Sequence, residues 1–212
     1  FLIEEPVAAA LGAGIDISKP CGHMILDIGG GTADIAVISL NGIVVKTSIK
    51  IAGNAFDAAI IRAIRDNHQL LIGEKMAETL KREIGTVYGF ETEKTYDIKG
   101  RNLITGLPQK ITVTSTEIKE ALEENTLQIL SALHSVIERT PPELVGDIHT
   151  NGILMTGGGS MIHGLDKRIE EATKIKARLA EQPIESVALG TALSFSSIDD
   201  LADGFTSPAT YK

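Results

Sequence analysis

Two glycine runs, each following a short apolar stretch, hold the residues best suited to chemistry. The first reads Asp27-Ile28-Gly29-Gly30-Gly31-Thr32 and the second Met155-Thr156-Gly157-Gly158-Gly159-Ser160. Glycines have no Cβ, so the backbone N–H groups of such a turn can approach a phosphate closely. An aspartate at the strand end before the turn can hold a hydrated Mg²⁺ on those phosphates, and the Thr32 hydroxyl can add a hydrogen bond. A tight hairpin turn would by itself account for three glycines. The preceding Asp27 and the strand that follows favour the phosphate reading. Neither a dinucleotide fingerprint nor a Walker A loop is present: no GxGxxG opens a helix, and no Lys-Ser/Thr follows the glycines. The second run reads as a strand-to-helix turn. A nucleobase or ribose could lie on it near the positive end of the next helix, while Ser160 would serve equally as a plain N-cap.

Other candidates are less specific. Glu5, beside Pro6 at a helix start, could orient an attacking water; composition does not separate it from Glu4, and a solvated carboxylate is the simpler reading of either. Glu78, Lys81 and Arg82 stand at i, i+3 and i+4, so one helix face carries a carboxylate and two cations. That face could grip a ribose and base, though spacing alone favours a solvated ion-paired face. The five histidines show no metal-ligand spacing, and no Ser-His-Asp or Cys-His arrangement stands out, which argues against a hydrolase with a covalent nucleophile. The single cysteine, Cys21, cannot form an internal disulfide and suits a reducing compartment.

The elements that must position these groups follow from periodicity and turn signals. A helix is expected over Glu4–Leu11, ended by Gly12 and Gly14. Strands follow at Met24–Ile28 and Ala33–Leu40, then an Asn41-Gly42 hairpin and a strand with Ile43, Val45, Thr47, Ile49 and Ile51 on one face. Helices are expected from about Phe56 (Phe56, Ile60, Ile61 and Ile64 inward) and over Glu74–Ile84, stopped by Gly85. Residues 86–114 read as short strands, with turns at Lys99-Gly100 and Gly106-Leu107-Pro108. A Thr114/Glu117 capping box opens a long helix with Ile118, Leu122, Ile129, Leu133 and Val136 inward, and Pro141-Pro142 ends it. A strand at Ile153–Met155, a helix toward Ala172 and a last helix near Ser186–Phe195 complete the reading. The tail from Asp199 is acidic and then weakly structured.

Composition sets the outer bounds. The chain has 212 residues, 43% hydrophobic and 23% charged, with a net charge of −8. This is ordinary globular usage, long enough for a substantial core. An acidic total argues against nucleic acid as the main partner. No run approaches the ~18 apolar residues of a membrane-spanning helix, and no signal peptide is recognisable.

Taken together, the pieces resemble the actin/Hsp70/sugar-kinase ATPase superfamily. Glu4-Glu5-Pro6-Val7-Ala8-Ala9-Ala10 resembles the helix connecting the two halves of that fold, Asp27–Thr32 its second phosphate loop, and Gly157–Ser160 its adenosine loop. Within the superfamily the chain is most similar to the MreB family. Thr105-Gly106-Leu107-Pro108 and Thr140-Pro141-Pro142-Glu143-Leu144, which are not general superfamily features, carry that likeness, together with Ile51-Ala52-Gly53 and Leu154-Met155-Thr156-Gly157-Gly158-Gly159-Ser160. The resemblance extends to about Gly204. It implies an α/β fold: an actin-like, ribonuclease-H-like half with a mixed sheet flanked by helices and a small inserted α+β subdomain. The larger subdomain is expected at 1–54 and 118–212 and the insertion at 55–117.

Carried over to matching positions, the resemblance implies that Glu5 positions the water attacking the γ-phosphate of ATP and that Asp27 binds Mg²⁺ through water. It implies that Gly29, Gly30, Gly31 and Thr32 hold the β- and γ-phosphates, with Gly53 approaching the nucleotide. Glu78, Lys81 and Arg82 would face the ribose and adenine, and Gly157, Gly158, Gly159, Met161 and Ile162 would line the adenine pocket. Ala33-Asp34 departs from the family's Thr-Glu, and Asn54-Ala55 follows Ala52-Gly53 where the family has an acidic residue. The family's first phosphate loop is not in this sequence. The chain therefore reads as a C-terminal half that holds one wall of the cleft and is not expected to turn over ATP alone. The implied parent is a cytoplasmic filament protein at the inner face of the bacterial membrane. It would self-associate, maintain rod shape by organising cell-wall synthesis, and meet membrane-linked shape proteins such as RodZ, with membrane contact through the N-terminal half. Rival readings are an Hsp70-type chaperone ATPase half and a sugar kinase.

Overall fold

The computed structural model describes residues 2–195 and 205–206; the expected weakly structured tail from Asp199 otherwise lies outside them. Strand β1 (Leu2–Ile3) leads into helix α1 (Glu5–Gly12), which has Pro6 in its first turn, where a missing N–H costs nothing. Strands β2 (His23–Ile28), β3 (Ala33–Ser39) and β4 (Gly42–Ile49) follow as an antiparallel meander. Next come helix α2 (Gly53–His68), the short strand β5 (Leu70–Leu71) and helix α3 (Glu74–Ile84). A hairpin of β6 (Thr95–Asn102) and β7 (Pro108–Thr114) precedes the long helix α4 (Ser115–Arg139) and then α5 (Pro142–Asn151). Strand β8 (Ile153–Thr156), a 3₁₀ turn (Gly158–Met161), helix α6 (Leu165–Thr173), strand β9 (Ala177–Leu179), helix α7 (Ser186–Ser194) and strand β10 (Phe205–Thr206) complete the order. No helix among the described residues is long and apolar enough to cross a membrane.

The principal sheet has the order β4-β3-β2-β8-β9. Its β2–β8 and β8–β9 pairs are parallel and the rest antiparallel, so it is mixed. Strand β2, buried on both faces, is a nearly continuous apolar run, as a central strand requires. Met24, Leu26 and Ile28 enter one core with Ile35, Val37, Phe56, Ile118 and Leu133. Ile25 enters the other with Val7, Ala9, Ala10, Ala36, Ile38 and Leu154. Helix α1 thus lies on the face that Ile25, and by alternation Asp27, shares.

Helices α1 and α7 meet backbone to backbone. A Cβ built on Gly12 would overlap the Ser186 carbonyl, and one on Gly190 would overlap that of Ala8. Here Gly12 serves a helix crossing as well as the helix end expected of it.

Two expectations about the meander need correction. The hairpin's two central residues are Leu40 and Asn41, with φ of 51° and 62°, because Ser39 pairs with Gly42. Such a turn needs positive φ at both centres, and the loop sits one residue earlier than the Asn41-Gly42 signal implies. The ladder also shifts register between Val37 and Ile38, whose partners are Val45 and Ile43. A one-residue bulge exchanges faces. Ile43 therefore packs in the α1 core while Val45, Ile49 and Ile51 pack in the other, so the five do not share one face.

The second sheet, β5-β6-β7, is built from residues 70–114. Lys99-Gly100 is not a turn: β6 runs through it. Gly100 is there because a Cβ would lie 2.5 Å from the Leu71 carbonyl oxygen and 2.8 Å from Leu70 Cγ. Its Ile98 and Val113 join the same core as Leu26 and Phe56. The capping box forms as expected: the Glu117 N–H donates to Thr114 Oγ1 at 3.3 Å and the Thr114 N–H to Glu117 Oε2 at 2.9 Å. The other Glu117 oxygen lies 2.6 Å from His68 Nε2 at the end of α2, tying the two helices together.

Candidate functional site

Parallel pairing of β2 with β8 sets Asp27 beside Thr156, so the two glycine turns that follow leave the sheet side by side. They pack directly on one another. Gly157, at φ +81°, has no room for a side chain: a Cβ would overlap the Ile28 carbonyl and lie 2.8 Å from Asp27 Oδ1. A Cβ on Gly159 would lie 2.5 Å from Ile28 Cγ2 and 3.1 Å from the Gly29 oxygen. Gly30 and Gly31 differ. Both are exposed; around a Cβ on Gly31 there is nothing within 4 Å, and around one on Gly30 only the Asn54 amide, at 3.5 Å. Packing explains Gly157 and Gly159 in the second turn and leaves the middle of the first turn open to solvent.

The first turn is braced from outside. The Gly29 N–H donates to the Thr32 oxygen at 3.0 Å, closing it. The first N–H groups of α2 donate into it, Gly53 to the Gly29 oxygen at 3.1 Å and Asn54 to the Gly30 oxygen at 2.8 Å. Carbonyls that face a helix start leave the turn's other side free. Lys81, from α3, donates to the Gly53 oxygen at 3.1 Å and to Asp57 Oδ2 at 2.9 Å.

Carboxylates gather beside the turn. Asp27 is 2% exposed and accepts from Thr156 Oγ1 at 2.7 Å. Burial pushes its carboxyl above the ordinary range, the Thr156 hydrogen bond opposes this, and the charge of Asp34 adds to it. Asp34 is its cross-strand partner in β3. Glu5, exposed at the start of α1, is also raised, first by desolvation and then by the charges of Asp27 and Asp34. Glu4 is separated from it by geometry: its carboxylate is bound by Lys46 of β4 at 2.7 Å. Three carboxylates therefore share one field, a pattern that marks functional clefts. Among the described residues no three His, Cys, Asp or Glu side chains sit closely enough to hold an ion directly. Asp27 could thus hold a metal only with water or ligand oxygens completing the sphere, which is ordinary for Mg²⁺.

The remaining predicted residues are less tightly joined. Glu78 and Arg82 are exposed on α3, and Met161 is 53% exposed after the second turn. Ile162 is 9% exposed and belongs to the main core. Ser160 is not an N-cap: it lies inside the 3₁₀ turn, its hydroxyl donating back to the Thr156 oxygen at 2.5 Å. Sequence reasoning missed Thr156, Asp57 and the side chain of Asn54. Thr156 was findable, because parallel strands that both end in glycine turns align their last residues. Two open cavities, of about 430 and 540 Å³, lie elsewhere, the first around Cys21, His23 and Arg178 and the second around Tyr88, Phe90 and His163.

The MreB/Mbl protein family model matches residues 1–203. The chain belongs to the MreB/Mbl family. The cell shape-determining protein Mbl of Bacillus cereus is 48% identical over 201 residues, 95% of this chain and 60% of that protein. The cell shape-determining protein MreB of Escherichia coli is 46% identical over 199 residues, 94% of this chain and 57% of that protein. The chain thus spans well under two thirds of the curated relatives it matches. MreB5 of Spiroplasma citri bound to AMPPNP superposes with a TM-score of 0.89 at 41% identity, covering 92% of this chain and 59% of that one; it is also known bound to ADP. A MamK double helical filament superposes at 0.74 with 25% identity. The fold is actin-like, and the named relatives are cell shape-determining proteins.

Proposed function

We propose that this chain forms one wall of a Mg·ATP site in an actin-like filament protein that maintains cell shape. The observation that carries the reading is the junction of the two glycine turns at Asp27. Gly157 and Gly159 are glycine because the first turn leaves them no room, whereas Gly30 and Gly31 have no such reason. Their bare backbone suits close approach by phosphate oxygens. Neighbouring carboxylates would repel those oxygens unless a divalent cation stood between them. Magnesium bound there supplies charge neutralisation for phosphoryl transfer to water.

The chain's own residues then take the following roles. Asp27, oriented by Thr156, holds a metal-bound water. Gly29–Gly31 and Thr32 bind the phosphates. Glu5 orients the attacking water and accepts its proton, a role its raised pKa favours. Glu78, Lys81 and Arg82 contact ribose and base, with Gly53 close by, and Gly157–Gly159, Met161 and Ile162 border the adenine. That S. citri MreB5 binds AMPPNP and ADP supports the ligand. We assign 1–54 and 118–212 to a nucleotide-binding subdomain and 55–117 to an insertion. Head-to-tail self-association, supported by the MamK filament, completes the reading. A cytoplasmic site under the membrane, a role in organising cell-wall synthesis and contacts with shape proteins such as RodZ rest on family likeness.

Calorimetric titration of Mg·ATP, with phosphate release followed in parallel, tests this. In the longest form of the protein its gene encodes, the reading predicts saturable, Mg²⁺-dependent binding that Asp27→Asn weakens and slow release that Glu5→Gln abolishes. The 212-residue chain alone is expected to bind weakly without turnover. Absence of Mg²⁺-dependent binding in the longest form would overturn the reading.

A further inference from the structure

None of the residues assigned to the nucleotide groove lines the cavity of about 540 Å³ at Tyr88, Phe90 and His163. Its two walls are joined where Thr86 bridges to His163 and the Val87 N–H donates to the His163 oxygen at 3.0 Å. Here aromatic rings hold the cations. The Phe90 and His163 rings stack with centroids 4.1 Å apart and planes 25° from parallel, while Lys94 Nζ lies 4.0 Å from the Phe90 centroid. An imidazole and an ammonium that close cannot share one face, so Phe90 is clasped between them. Lys167 Nζ stands 5.4 Å over the Tyr88 ring, whose hydroxyl donates to Glu171 Oε1 at 3.0 Å. A ring face holds an ammonium without cancelling its charge. Lys19, Lys46, Lys81 and Lys110 meet carboxylates instead; Lys94 and Lys167 make no ion pair among the described residues. Glu91 is the one acid among the lining residues, so the cavity reverses locally the chain's net charge of −8.

His163 adds a neutral donor. The hydroxyl oxygen of Thr86, which is 1% exposed, accepts from the Tyr88 N–H at 3.2 Å and the Gly89 N–H at 2.8 Å. With both lone pairs used, it can only donate, to His163 Nδ1 at 3.1 Å or to the His163 oxygen at 3.2 Å. Nδ1 therefore stays an acceptor, and the proton of the neutral ring sits on Nε2. Burial, then the charges of Lys167 and Lys94, hold the imidazole pKa below its ordinary value, with Asp166 opposing them.

No arginine lines the cavity, so the planar fork that matches a carboxylate is missing. Two compact ammoniums and an N–H on separate residues suit a tetrahedral oxyanion, whose oxygens diverge. The volume far exceeds one such ion and falls within the roughly 300–1,000 Å³ of organic ligand sites. The Tyr88 ring, 37% exposed, offers a wall for an apolar body. We propose that this cavity binds a phosphate monoester of an organic molecule, with its phosphate oxygens on Lys94, Lys167 and the His163 Nε2–H and its apolar part against Tyr88. Soluble esters and the phosphatidic acid headgroup of a bilayer carry that same group. Nothing in the proposal depends on the nucleotide groove.

The test titrates phenyl phosphate into the longest form of the protein its gene encodes, in EDTA, because the carboxylates of the strand-end groove repel phosphate when no divalent cation is present. Imidazole signals of ¹⁵N-histidine-labelled protein are followed, with His163→Gln identifying the one of interest. Binding should saturate, and the His163 titration midpoint should move to higher pH, because the bound anion offsets the charges of Lys94 and Lys167. Lys94→Gln and Lys167→Gln should each weaken binding about tenfold and together abolish it, with unchanged melting, since both side chains are exposed. Inorganic phosphate, which lacks the ring, should bind about tenfold more weakly. Benzoate, with the same ring but a planar carboxylate, should also bind more weakly. Absence of saturable binding, an unmoved His163 titration, affinity indifferent to both lysines, or benzoate bound as tightly as phenyl phosphate would each overturn the proposal. Sedimentation with phosphatidylcholine vesicles, with and without phosphatidic acid, separates the two sources. Pelleting that needs both phosphatidic acid and the two lysines assigns the headgroup; pelleting indifferent to the lysines, alongside phenyl phosphate binding, assigns a soluble ester.

Discussion

Two adjacent glycines in the second turn should respond very differently to the same substitution. At Gly157 an alanine meets two independent obstacles. Its φ of +81° with ψ of 155° is a conformation open essentially only to glycine, and it costs an L-residue about 1–3 kcal/mol. Its Cβ would also overlap the Ile28 carbonyl and crowd Asp27, and forcing extra volume into packed structure costs about 1–3 kcal/mol. The sum is roughly 2–6 kcal/mol, equivalent to a melting-temperature drop of roughly 4–24 °C for a chain of this size. At Gly158 neither obstacle exists: a Cβ would find only Ile184 Cγ1, at 3.9 Å, so Gly158→Ala should change stability by less than about 0.5 kcal/mol. Thermal unfolding followed by circular dichroism, with urea midpoints as a second measure, reads both variants. If Gly158→Ala melts as low as Gly157→Ala, or if Gly157→Ala melts within about 2 °C of the unaltered chain, the two turns are not packed as described.

Three further outcomes follow from the same geometry. Asp27→Asn should raise stability at pH 7, because a buried charge is removed while an Asn carbonyl can still accept from Thr156. The raised carboxyl contributes stability in its protonated form, present below its unfolded value of 3.8 and lost as pH rises through the higher folded value. The variant's advantage should therefore vanish in melts taken below about pH 4. Thr114→Ala removes the capping-box acceptor and should cost about 1 kcal/mol, read as a shift in urea midpoint with unchanged slope. Leu40→Gly should stabilise the chain by up to about 1 kcal/mol, since Leu40 is 63% exposed and held at φ 51°.

The sequence exposes the strands and helices that carry strong local signals. Met24–Ile28 is a continuous apolar run, Glu74–Ile84 is bounded by glycine, and Thr114/Glu117 is a capping box; each forms where expected. Strands β5 and β9, of two and three residues, are too short to show a period and exist through tertiary pairing. Ile43 changed faces because a bulge, invisible in composition, interrupts β4. Gly100 looked like a turn because a glycine needed for close approach to Leu71 has the same letter as one needed for a bend. In the candidate site, Asp27 and both glycine turns were legible from type and spacing. Glu4 and Glu5 were not separable until Lys46 was seen to bind one of them. Asp57 was hidden because its partner lies on another helix, 24 residues away.

The central claim is that the nucleotide sits on the first glycine turn beside Asp27. Backbone amide resonances recorded while Mg·AMPPNP is added to ¹⁵N-labelled protein, in the longest form its gene encodes, test it most directly. The account predicts that the signals of Gly29, Gly30, Gly31 and Thr32 move first and furthest, with Gly157–Gly159 following and Gly106, at the distant hairpin, unmoved. Shifts centred instead on Tyr88, Phe90 and His163, with the Gly29–Thr32 signals unchanged, would contradict it.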